Sequence, residues 1–292
     1  MPRVIIAGCG FLGEAAADLF SELGWNVLGL CATRKSSSRF ASKPYEVRAV
    51  DITTKFSLDP PWCGADALVH CAGPHRVAPE AYRSLFVDGL SNALAGIEPR
   101  RVLITGSTSV YAQADGRWVD ETSEAKPDRE TGRILLEAES MALASGGLVA
   151  RLSGLYGPGR SVIMRKFLSG EAVIEGDGLR WINQIHRDDA ARAIAHLLAK
   201  PAPPGIYNVS DGTPATQLEV YTWLADYFQH PLPGIGEPDL NRKRGWTSKR
   251  VSNAKLRNTG WKPAFPAYRD AIASLNEEGC QTGRHRAFRE PR

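Results

Sequence analysis

The chain has 292 residues, of which 43% are hydrophobic and 23% are charged, as is ordinary for a soluble globular protein. Its formal net charge of +4 is too small to predict nucleic-acid binding by itself. No stretch approaches the roughly 20 apolar residues of a membrane span, and the apolar residues 4–7 are too few for a signal sequence. We therefore expect one large domain, or a domain with a smaller lobe.

The five cysteines are scattered and lack the close pairs of a metal site or a disulfide framework. They are Cys9, Cys31, Cys63, Cys71 and Cys280. This pattern predicts a protein without a metal ion, in the reducing cytoplasm.

Short β-rich runs alternate with helical stretches through most of the chain, which predicts βαβ units and a parallel sheet. The predicted strands cover residues 4–7, 27–30, 46–50, 67–71, 102–105, 148–152 and 206–209. The predicted helices cover residues 11–23, 131–145, 190–198 and 218–228. The pattern is that of an α/β fold.

The pattern changes after Asp211 to one helix and a proline-rich loop. We expect residues 1–156 with about 182–210 to form an NAD(P)-binding domain, and about 157–181 with 211–276 to form a smaller C-terminal substrate lobe. Residues 277–292 have few apolar side chains, which predicts a disordered tail.

A glycine motif follows the first predicted strand and opens the first predicted helix. Gly8 permits a tight turn, Gly10 lets the backbone approach a pyrophosphate, and Gly13 allows close packing of helix on strand. Phe11 and Leu12, at the helix N-terminus, offer free N–H groups to the phosphates. This context predicts a dinucleotide site rather than a plain turn.

The end of the second predicted strand distinguishes NAD from NADP. An NAD site usually has an Asp or Glu here, whereas an Arg accommodates the 2′-phosphate of NADP. The chain has no acid at this point, and Thr33 and Arg34 are placed to bind a phosphate, with Ser36 as a further hydroxyl. We expect NADP rather than NAD, the alternative being a solvated basic loop.

Further motifs follow in a fixed order. They are Ser107-Thr108-Ser109-Val110-Tyr111, Arg151, Tyr156-Gly157-Pro158-Gly159, Ile185-His186-Arg187-Asp188-Asp189 and Gly260-Trp261-Lys262-Pro263. In order and spacing, with the glycine motif, they closely resemble the extended short-chain dehydrogenase/reductase family of nucleotide-sugar epimerases and dehydratases. The resemblance implies a Rossmann-type, doubly wound parallel sheet with a smaller C-terminal substrate lobe.

The resemblance implies two further contacts with the cofactor. Asp51 matches the acid that commonly receives the adenine amino group, and Cys71, Ala72 and Gly73 match the strand end that passes under the cofactor. The alternatives are a turn residue for Asp51 and, for the neighbouring His70, a histidine of the core.

The catalytic motif of this family is incomplete. Ser107 matches the family serine, which contacts both cofactor and substrate, but Thr131 stands at the catalytic Tyr and Leu135 at the Lys four residues later. Such a Tyr, with a pKa of about 10, needs the nearby cation for proton transfer. The alternative acids are Ser107 with an ordered water and Tyr156, although the loop of Tyr156 precludes a helix. Tyr111 is expected to be a buried wall residue.

The resemblance places substrate contacts after the fifth strand and in the C-terminal part. We assign Thr108, Ser109, Asn183 and Arg250 to substrate binding, Arg250 being drawn from a basic run over residues 241–258 that equally fits a solvated face. Asp188 and Asp189 are expected to cap a helix.

Three functions are open at this stage. The first is an NADP-dependent epimerase, dehydratase or reductase that acts on a nucleotide sugar or similar small polar molecule through a non-standard acid–base group. The second is a non-catalytic NADP-binding sensor, and the third, which the modest charge argues against, is nucleic-acid association. A homodimer is left open.

Overall fold

The structure is a computed structural model that describes residues 1–74, 78–200, 202–240 and 245–272. The predicted tail at 277–292 and three residues of the basic run, Arg242, Lys243 and Arg244, lie outside the described residues. One parallel sheet of seven strands forms the centre of the molecule. The α/β fold predicted from the alternating pattern is confirmed.

All seven predicted strands are present and belong to this sheet. They are β1 (Arg3–Ala7), β2 (Asn26–Cys31), β3 (Glu46–Ala49), β4 (Ala67–His70), β5 (Val102–Ser107), β6 (Leu148–Leu152) and β7 (Gly205–Val209). Their order across the sheet is β7-β6-β5-β4-β1-β2-β3. The central strands are buried along almost their whole length because helices cover both faces of the sheet.

Nine α-helices are described, four of which match the predicted ones. They are α1 (Phe11–Glu22), α2 (Arg34–Ser37), α3 (Pro79–Arg83), α4 (Gly89–Ile97), α5 (Glu130–Ala144), α6 (Val162–Leu168), α7 (Arg187–Ala199), α8 (Gln217–Phe228) and α9 (Ala254–Asn258). A π-helical turn over Ser84–Asp88 joins α3 to α4. Short two-residue and three-residue strands pair outside the main sheet.

Two hydrophobic clusters cover the two faces of the sheet. Side chains of α1 and α7 pack on one face, and side chains of α4 and α5 pack on the other. This arrangement is the doubly wound topology that the resemblance implies.

A third hydrophobic cluster lies apart from the sheet and joins α6 and α8 to residues near the described C-terminal end. Its largest members are Tyr156, Phe167, Tyr221 and Tyr268. It forms the core of the part predicted as the substrate lobe, and the boundaries given above for the two domains stay a prediction.

Helix α7 begins differently from the sequence prediction. It starts at Arg187, and its N-cap is His186, not Asp188 or Asp189. The His186 Nδ1 accepts a hydrogen bond from the Asp188 N–H at 3.3 Å. Asp189 is fully buried and accepts hydrogen bonds from the N–H groups of Ala264 and Phe265, both at 2.8 Å. Asp189 therefore fastens a distant segment, which no local pattern could indicate.

Candidate functional site

The crevice at the carboxyl edge of the sheet lies where the strand order reverses. Ala7, the last residue of β1, pairs with Leu30 of β2 on one side and with His70 of β4 on the other. The chain leaves β1 toward β2 on one side and leaves β4 toward β5 on the other, so the loops that follow these two strands diverge and leave a crevice. In doubly wound sheets this is where ligands bind.

The three glycines of the turn after β1 are needed for different physical reasons. Gly8 has φ of +102°, and a Cβ there would lie 2.4 Å from Cα of Ala72. A Cβ on Gly13 would lie 2.1 Å from the carbonyl oxygen of Gly8. A Cβ on Gly10, in contrast, would meet no described atom within 4 Å. The fold itself requires Gly8 and Gly13, whereas Gly10 leaves the backbone open toward the crevice.

The N-terminus of α1 opens into the same crevice, and no side chain of the described residues caps it. Leu12 is buried beneath the turn, and Phe11 is half-buried at its rim. The guanidinium carbons of Arg160 and Arg187 lie 5.1 and 5.3 Å from the centre of the Phe11 ring. Uncapped N–H groups at the start of α1 and two guanidinium groups over the Phe11 ring therefore lie in the same region, which suits a phosphate.

Arg160 and Arg187 were not among the site residues predicted from the sequence. Each belongs to a motif that was recognised, the Tyr156-Gly157-Pro158-Gly159 loop and the Ile185-His186-Arg187 run. A Cβ on Gly157 would lie 3.3 Å from the Phe11 ring and 3.0 Å from Cβ of Arg187. The contact of this loop with Phe11 depends on residues about 150 positions apart and carries no local signal.

The loop after β2 holds the predicted selectivity residues. The Thr33 hydroxyl accepts a hydrogen bond from the Ser36 N–H at 3.1 Å, so it caps α2, and it also lies 2.9 Å from the Ser36 hydroxyl. Arg34, the first residue of α2, is exposed. The structure thus leaves Arg34 accessible at the carboxyl end of β2.

Three cysteine thiols lie beneath the glycine turn that follows β1, and one of them, Cys31, ends β2 without an acidic residue beside it. Cys31 ends β2 and is 7% exposed, and its thiol is hydrogen-bonded to that of Cys9. This contact lowers the pKa of Cys31 to about 7, and it raises the pKa of Cys9 together with burial. Cys71 lies under the turn, with Sγ 3.4 Å from the Gly8 carbonyl oxygen, and burial raises its pKa to about 12.

The remaining predicted cofactor contacts follow the carboxyl ends of β3 and β4. Asp51 follows β3 and is exposed, and its Oδ1 accepts hydrogen bonds from the N–H of Thr53 at 3.0 Å and from its hydroxyl at 2.7 Å. Asp51 therefore does form a turn, the alternative given above. Ala72 backs Gly8, while a Cβ on Gly73 would meet no described atom within 4 Å.

His70 is a histidine of the core. It is 1% exposed, and its Nε2 lies 3.1 Å from the carbonyl oxygen of Leu85. Burial lowers its pKa to about 4, so the ring is neutral near pH 7.

The serine run after β5 forms the next part of the crevice. The Ser107 Oγ accepts a hydrogen bond from the Ser109 N–H at 3.2 Å, and the Thr108 hydroxyl donates to the Leu152 carbonyl oxygen at 3.4 Å. Ser109 is half-buried and lines a small cavity on the α5 side. Of the two predicted substrate contacts in this run, Ser109 faces the cavity, whereas Thr108 is tied to the sheet.

Thr131 lines the same cavity, and Leu135 does not. Thr131 is half-buried in the first turn of α5, whereas Leu135 is 6% exposed and packs in the cluster between α5 and the sheet. Gly132 is closely packed, because a Cβ there would lie 2.4 Å from Cβ of Pro127. The cavity has a volume of about 20 Å³, enough for a water molecule but not for a sugar. A substrate would have to displace one of its walls.

The opposite wall comes from a segment of the basic run. Gly245, Trp246 and Thr247 face Thr131 across the cavity. The Thr247 hydroxyl accepts a hydrogen bond from Nζ of Lys249 at 2.8 Å, and Lys249 is only 5% exposed. Burial, with the nearby Arg180, lowers the pKa of Lys249 to about 8.

Arg180 is the second cation of this cluster. Its Nε lies 3.2 Å from Oε2 of the buried Glu175, which also accepts a hydrogen bond from the Trp246 indole N–H at 3.2 Å. Neither Lys249 nor Arg180 was singled out from the sequence, because a lysine in a basic run reads as solvated.

The other predicted substrate residues support this segment. The Asn183 side chain donates to the Lys249 carbonyl oxygen at 2.8 Å and accepts from the Val251 N–H at 2.7 Å. The guanidinium of Arg250 lies between the rings of Trp118 and Trp181, at 5.2 and 5.0 Å, and its Nε donates to the Gly116 carbonyl oxygen. These contacts are structural, and the predicted role of both residues in substrate binding stays a prediction.

Tyr156 lies in the third hydrophobic cluster and is 2% exposed. Its ring contacts His186 and Tyr268, and its hydroxyl has no hydrogen-bond partner among the described residues. Burial and the nearby Asp211 carboxyl raise its pKa, which weighs against Tyr156 as a proton donor near pH 7.

Buried charges support the floor of the crevice from below. Arg151 of β6 pairs with Glu139 of α5, and its Nη1 donates to the Tyr111 hydroxyl at 2.9 Å. That hydroxyl donates in turn to Oδ1 of Asn208 at 2.9 Å. Tyr111 is fully buried, as expected for a wall residue.

Neither a metal-binding cluster nor a membrane-spanning helix occurs among the described residues. They contain no group of three or more His, Cys, Asp or Glu side chains placed to hold a metal ion. Within the same residues, no helix has the length and apolar character needed to cross a membrane.

Comparison with known proteins agrees with this geometry. Residues 4–210 match the model of the NAD dependent epimerase/dehydratase family. The protein YeeZ of Escherichia coli K12 is 32% identical over 218 residues, which cover 72% of this chain and 77% of YeeZ.

Solved structures are similar over almost the whole chain. A Methylobacillus flagellatus protein, described as an NAD-dependent epimerase/dehydratase, is 28% identical, with a TM-score of 0.73 and coverage of 95% of this chain and 98% of that one. The UDP-glucose 4-epimerase of Thermotoga maritima with UDP-glucose has a TM-score of 0.80 at 18% identity, covering 97% of this chain and 100% of that one, and so shows a shared fold. The chain belongs to the NAD-dependent epimerase/dehydratase family.

Proposed function

We propose that the protein binds NADP in the crevice between β1 and β4 and acts as an epimerase, dehydratase or reductase on a nucleotide sugar or similar small polar molecule. The observation that carries the cofactor assignment is Gly10. The fold has no need of a glycine there, since a Cβ would meet no described atom within 4 Å, yet the position faces the uncapped N-terminus of α1. A glycine in this place suits a phosphate that approaches the backbone.

The residues around the crevice fit a dinucleotide. The N–H groups at the start of α1, with Arg160 and Arg187 nearby, would hold its pyrophosphate, and Gly73 leaves room beside the turn. When bound, the cofactor supplies hydride chemistry. The protein's own residues would orient the substrate through Ser107 and Ser109 and move a proton at its reacting oxygen.

The preference for NADP is supported by charge. The carboxyl end of β2 carries exposed Arg34 and buried Cys31 instead of an acid. An Asp or Glu at this point would receive the ribose 2′-hydroxyl of NAD and would repel the 2′-phosphate of NADP. Arg34 attracts that phosphate.

The substrate class is supported by the relatives. Structures similar to this chain are described with UDP-glucose, UDP-glucuronic acid and NAD. The division into an NAD(P)-binding domain and a substrate lobe belongs to the same proposal, and so do the assignments of Asp51, Asn183 and Arg250.

A non-catalytic NADP sensor is the second candidate. Two observations favour it, namely Leu135 packed in the core where a Lys would serve catalysis and a cavity too small for a sugar. A sensor would bind cofactor as tightly as an enzyme but would leave every substrate unchanged.

Calorimetric titration with NADPH and NADH, followed by turnover assays on UDP-glucose, UDP-galactose, UDP-glucuronic acid and dTDP-glucose, tests the proposal. We expect NADPH to bind more tightly than NADH and one sugar class to be converted. Binding of neither dinucleotide would overturn the cofactor assignment. Tight NADPH binding without conversion of any compound would favour the sensor.

A further inference from the structure

The cavity beside Thr131 has the Thr247 hydroxyl on its far wall, and the buried amine of Lys249 contacts that hydroxyl from outside the cavity, whereas the α5 side lacks a Tyr and a Lys. Thr247 lines the cavity, and Lys249 donates to its hydroxyl at 2.8 Å. We propose that Thr247 and Lys249 form the proton-transfer pair of this site, in place of the absent pair on α5. This inference rests on the proposed function, because it supplies that enzyme's acid–base group.

Lys249 is an unusual lysine in its surroundings. It is 5% exposed, and within the described residues it forms no ion pair with a carboxylate. The charged group that faces it is Arg180, which pairs with Glu175 on its other side. Lysines are rarely buried without a partner, and where they are, the neutral amine is favoured.

The lysine is also held firmly. Asn183 receives the Val251 N–H and donates to the Lys249 carbonyl oxygen, so a single side chain fixes the backbone on both sides of Arg250. The Ser248 N–H donates to the Gln113 carbonyl oxygen at 3.2 Å. A wall that moves to admit a substrate would therefore move at Gly245 and Trp246, while Lys249 keeps its place.

The proton transfer involves only the substrate, Thr247 and Lys249. The substrate O–H bond breaks, its proton passes to Oγ1 of Thr247, and the Thr247 proton passes to the neutral Nζ of Lys249. The electron pair stays on the substrate oxygen, Thr247 ends as a hydroxyl, and Lys249 ends as an ammonium ion. In the reverse direction the ammonium ion is the acid. A neighbouring amine is a known activator of a hydroxyl, as in Ser–Lys catalytic pairs.

The alternative is that Lys249 only stabilises the lobe through its charge and packing. Three variants separate the two roles. Lys249→Arg keeps the charge but cannot give up a proton, Thr247→Val removes the hydroxyl at nearly constant shape, and Thr247→Ser retains it. Lys262→Met is the matched control for Lys249→Met, because Lys262 is exposed.

The first readout needs no substrate. NMR of protein labelled at lysine Cε, with the Lys249 signal identified by its absence in Lys249→Met, follows the titration of this amine in the NADPH complex. We expect a midpoint near 8, well below the ordinary range of a lysine, and a displaced midpoint in Thr247→Val but not in Thr247→Ser. A Lys249 that titrates with the surface lysines would overturn the proposal.

The second readout is the pH profile of turnover on any sugar that the panel identifies. We expect Lys249→Met, Lys249→Arg and Thr247→Val to lose about 100-fold or more in kcat, to lose the limb of the profile near pH 8, and to keep NADPH affinity within about threefold. Thr247→Ser should restore most of the turnover that Thr247→Val loses, and Lys262→Met should stay near wild type. Lys249→Arg with wild-type turnover would contradict proton transfer, and wild-type protein that binds no dinucleotide would instead sink the proposed function. A protein that binds NADPH but converts none of the sugars would count against the proton-transfer pair and in favour of the sensor.

Discussion

Arg151 and Glu139 form an ion pair that is almost completely buried beneath the candidate site, with Nη2 2.6 Å from Oε2 and side-chain exposures of 4% and 3%. Burial raises the pKa of Glu139, and the guanidinium opposes that shift. The pair joins β6 to α5, the helix that presents Thr131. The ion pair therefore positions the α5 wall of the cavity and takes no part in the proposed chemistry.

The first prediction concerns this ion pair. Arg151→Met should lower the free energy of unfolding by about 3–5 kcal/mol, because it leaves the Glu139 carboxyl buried and unpaired. Chemical denaturation measures the change. Arg165→Met, which removes the exposed pair with Glu171, is the control and should cost less than about 1 kcal/mol. Equal losses in the two variants would show that Glu139 does not depend on Arg151.

The second prediction concerns the choice of cofactor. Arg34→Glu should weaken NADPH binding by about 100-fold, since it replaces attraction of the 2′-phosphate by repulsion, and should change NADH binding by less than about threefold. Lys35→Glu makes the same charge change at the next exposed position and should leave the preference in place. Fluorescence titration with both dinucleotides measures the two affinities. An unchanged preference in Arg34→Glu would reject the phosphate assignment.

The third prediction is a pH dependence of stability. Asp211 is buried, and burial raises its pKa to about 8, with Asp189 and Asp270 adding repulsion. Below about pH 4 the carboxyl is neutral in both the folded and the unfolded chain. Between about pH 4 and 8 the unfolded chain loses this proton first, so the contribution of Asp211 to stability falls by up to about 1.4 kcal/mol per pH unit.

Asp211→Asn should therefore gain stability relative to wild type as pH rises, by at least about 2 kcal/mol between pH 5 and 8. Denaturation at several pH values gives the difference between the two proteins. Asp226→Asn, at an exposed position of α8, should run parallel to wild type. A parallel curve for Asp211→Asn as well would mean that Asp211 ionises normally in the folded protein.

The sequence predicts the sheet well because its strands are buried on both faces. Val4, Ile5 and Ile6 are inaccessible to solvent, and such a short apolar run ahead of a glycine turn is typical of a buried strand. The segment from α3 to α4 received no prediction, since its π-helical turn interrupts the helical period. The start of α7 was placed three residues late because the cap is a His rather than an acid.

The candidate site, like the fold, is predicted by the sequence only where its residues are close along the chain. The glycine turn is local, so spacing indicates it, and the structure agrees that Gly8 and Gly13 are sterically required. The contact of Lys249 with Thr247 also lies within three residues, but its meaning depends on burial by distant elements such as the segment of Arg180. Burial of a charged side chain is a tertiary property, and a basic run conceals it.

The final prediction compares two glycines of one turn. Gly8→Ala should lower the free energy of unfolding by more than about 2 kcal/mol, because φ of +102° and the Ala72 backbone both oppose a side chain. Gly10→Ala should leave the free energy of unfolding within about 1 kcal/mol of wild type, since no described atom lies within 4 Å of the position of its methyl group.

The measurement that tests the central claim most directly is the NADPH affinity of Gly10→Ala by calorimetry, beside its thermal stability. If the dinucleotide binds in the crevice between β1 and β4, Gly10→Ala should bind NADPH at least about tenfold more weakly than wild type while remaining equally stable. Wild-type NADPH affinity in a stable Gly10→Ala protein would contradict the claim, because the cofactor would then not approach this turn.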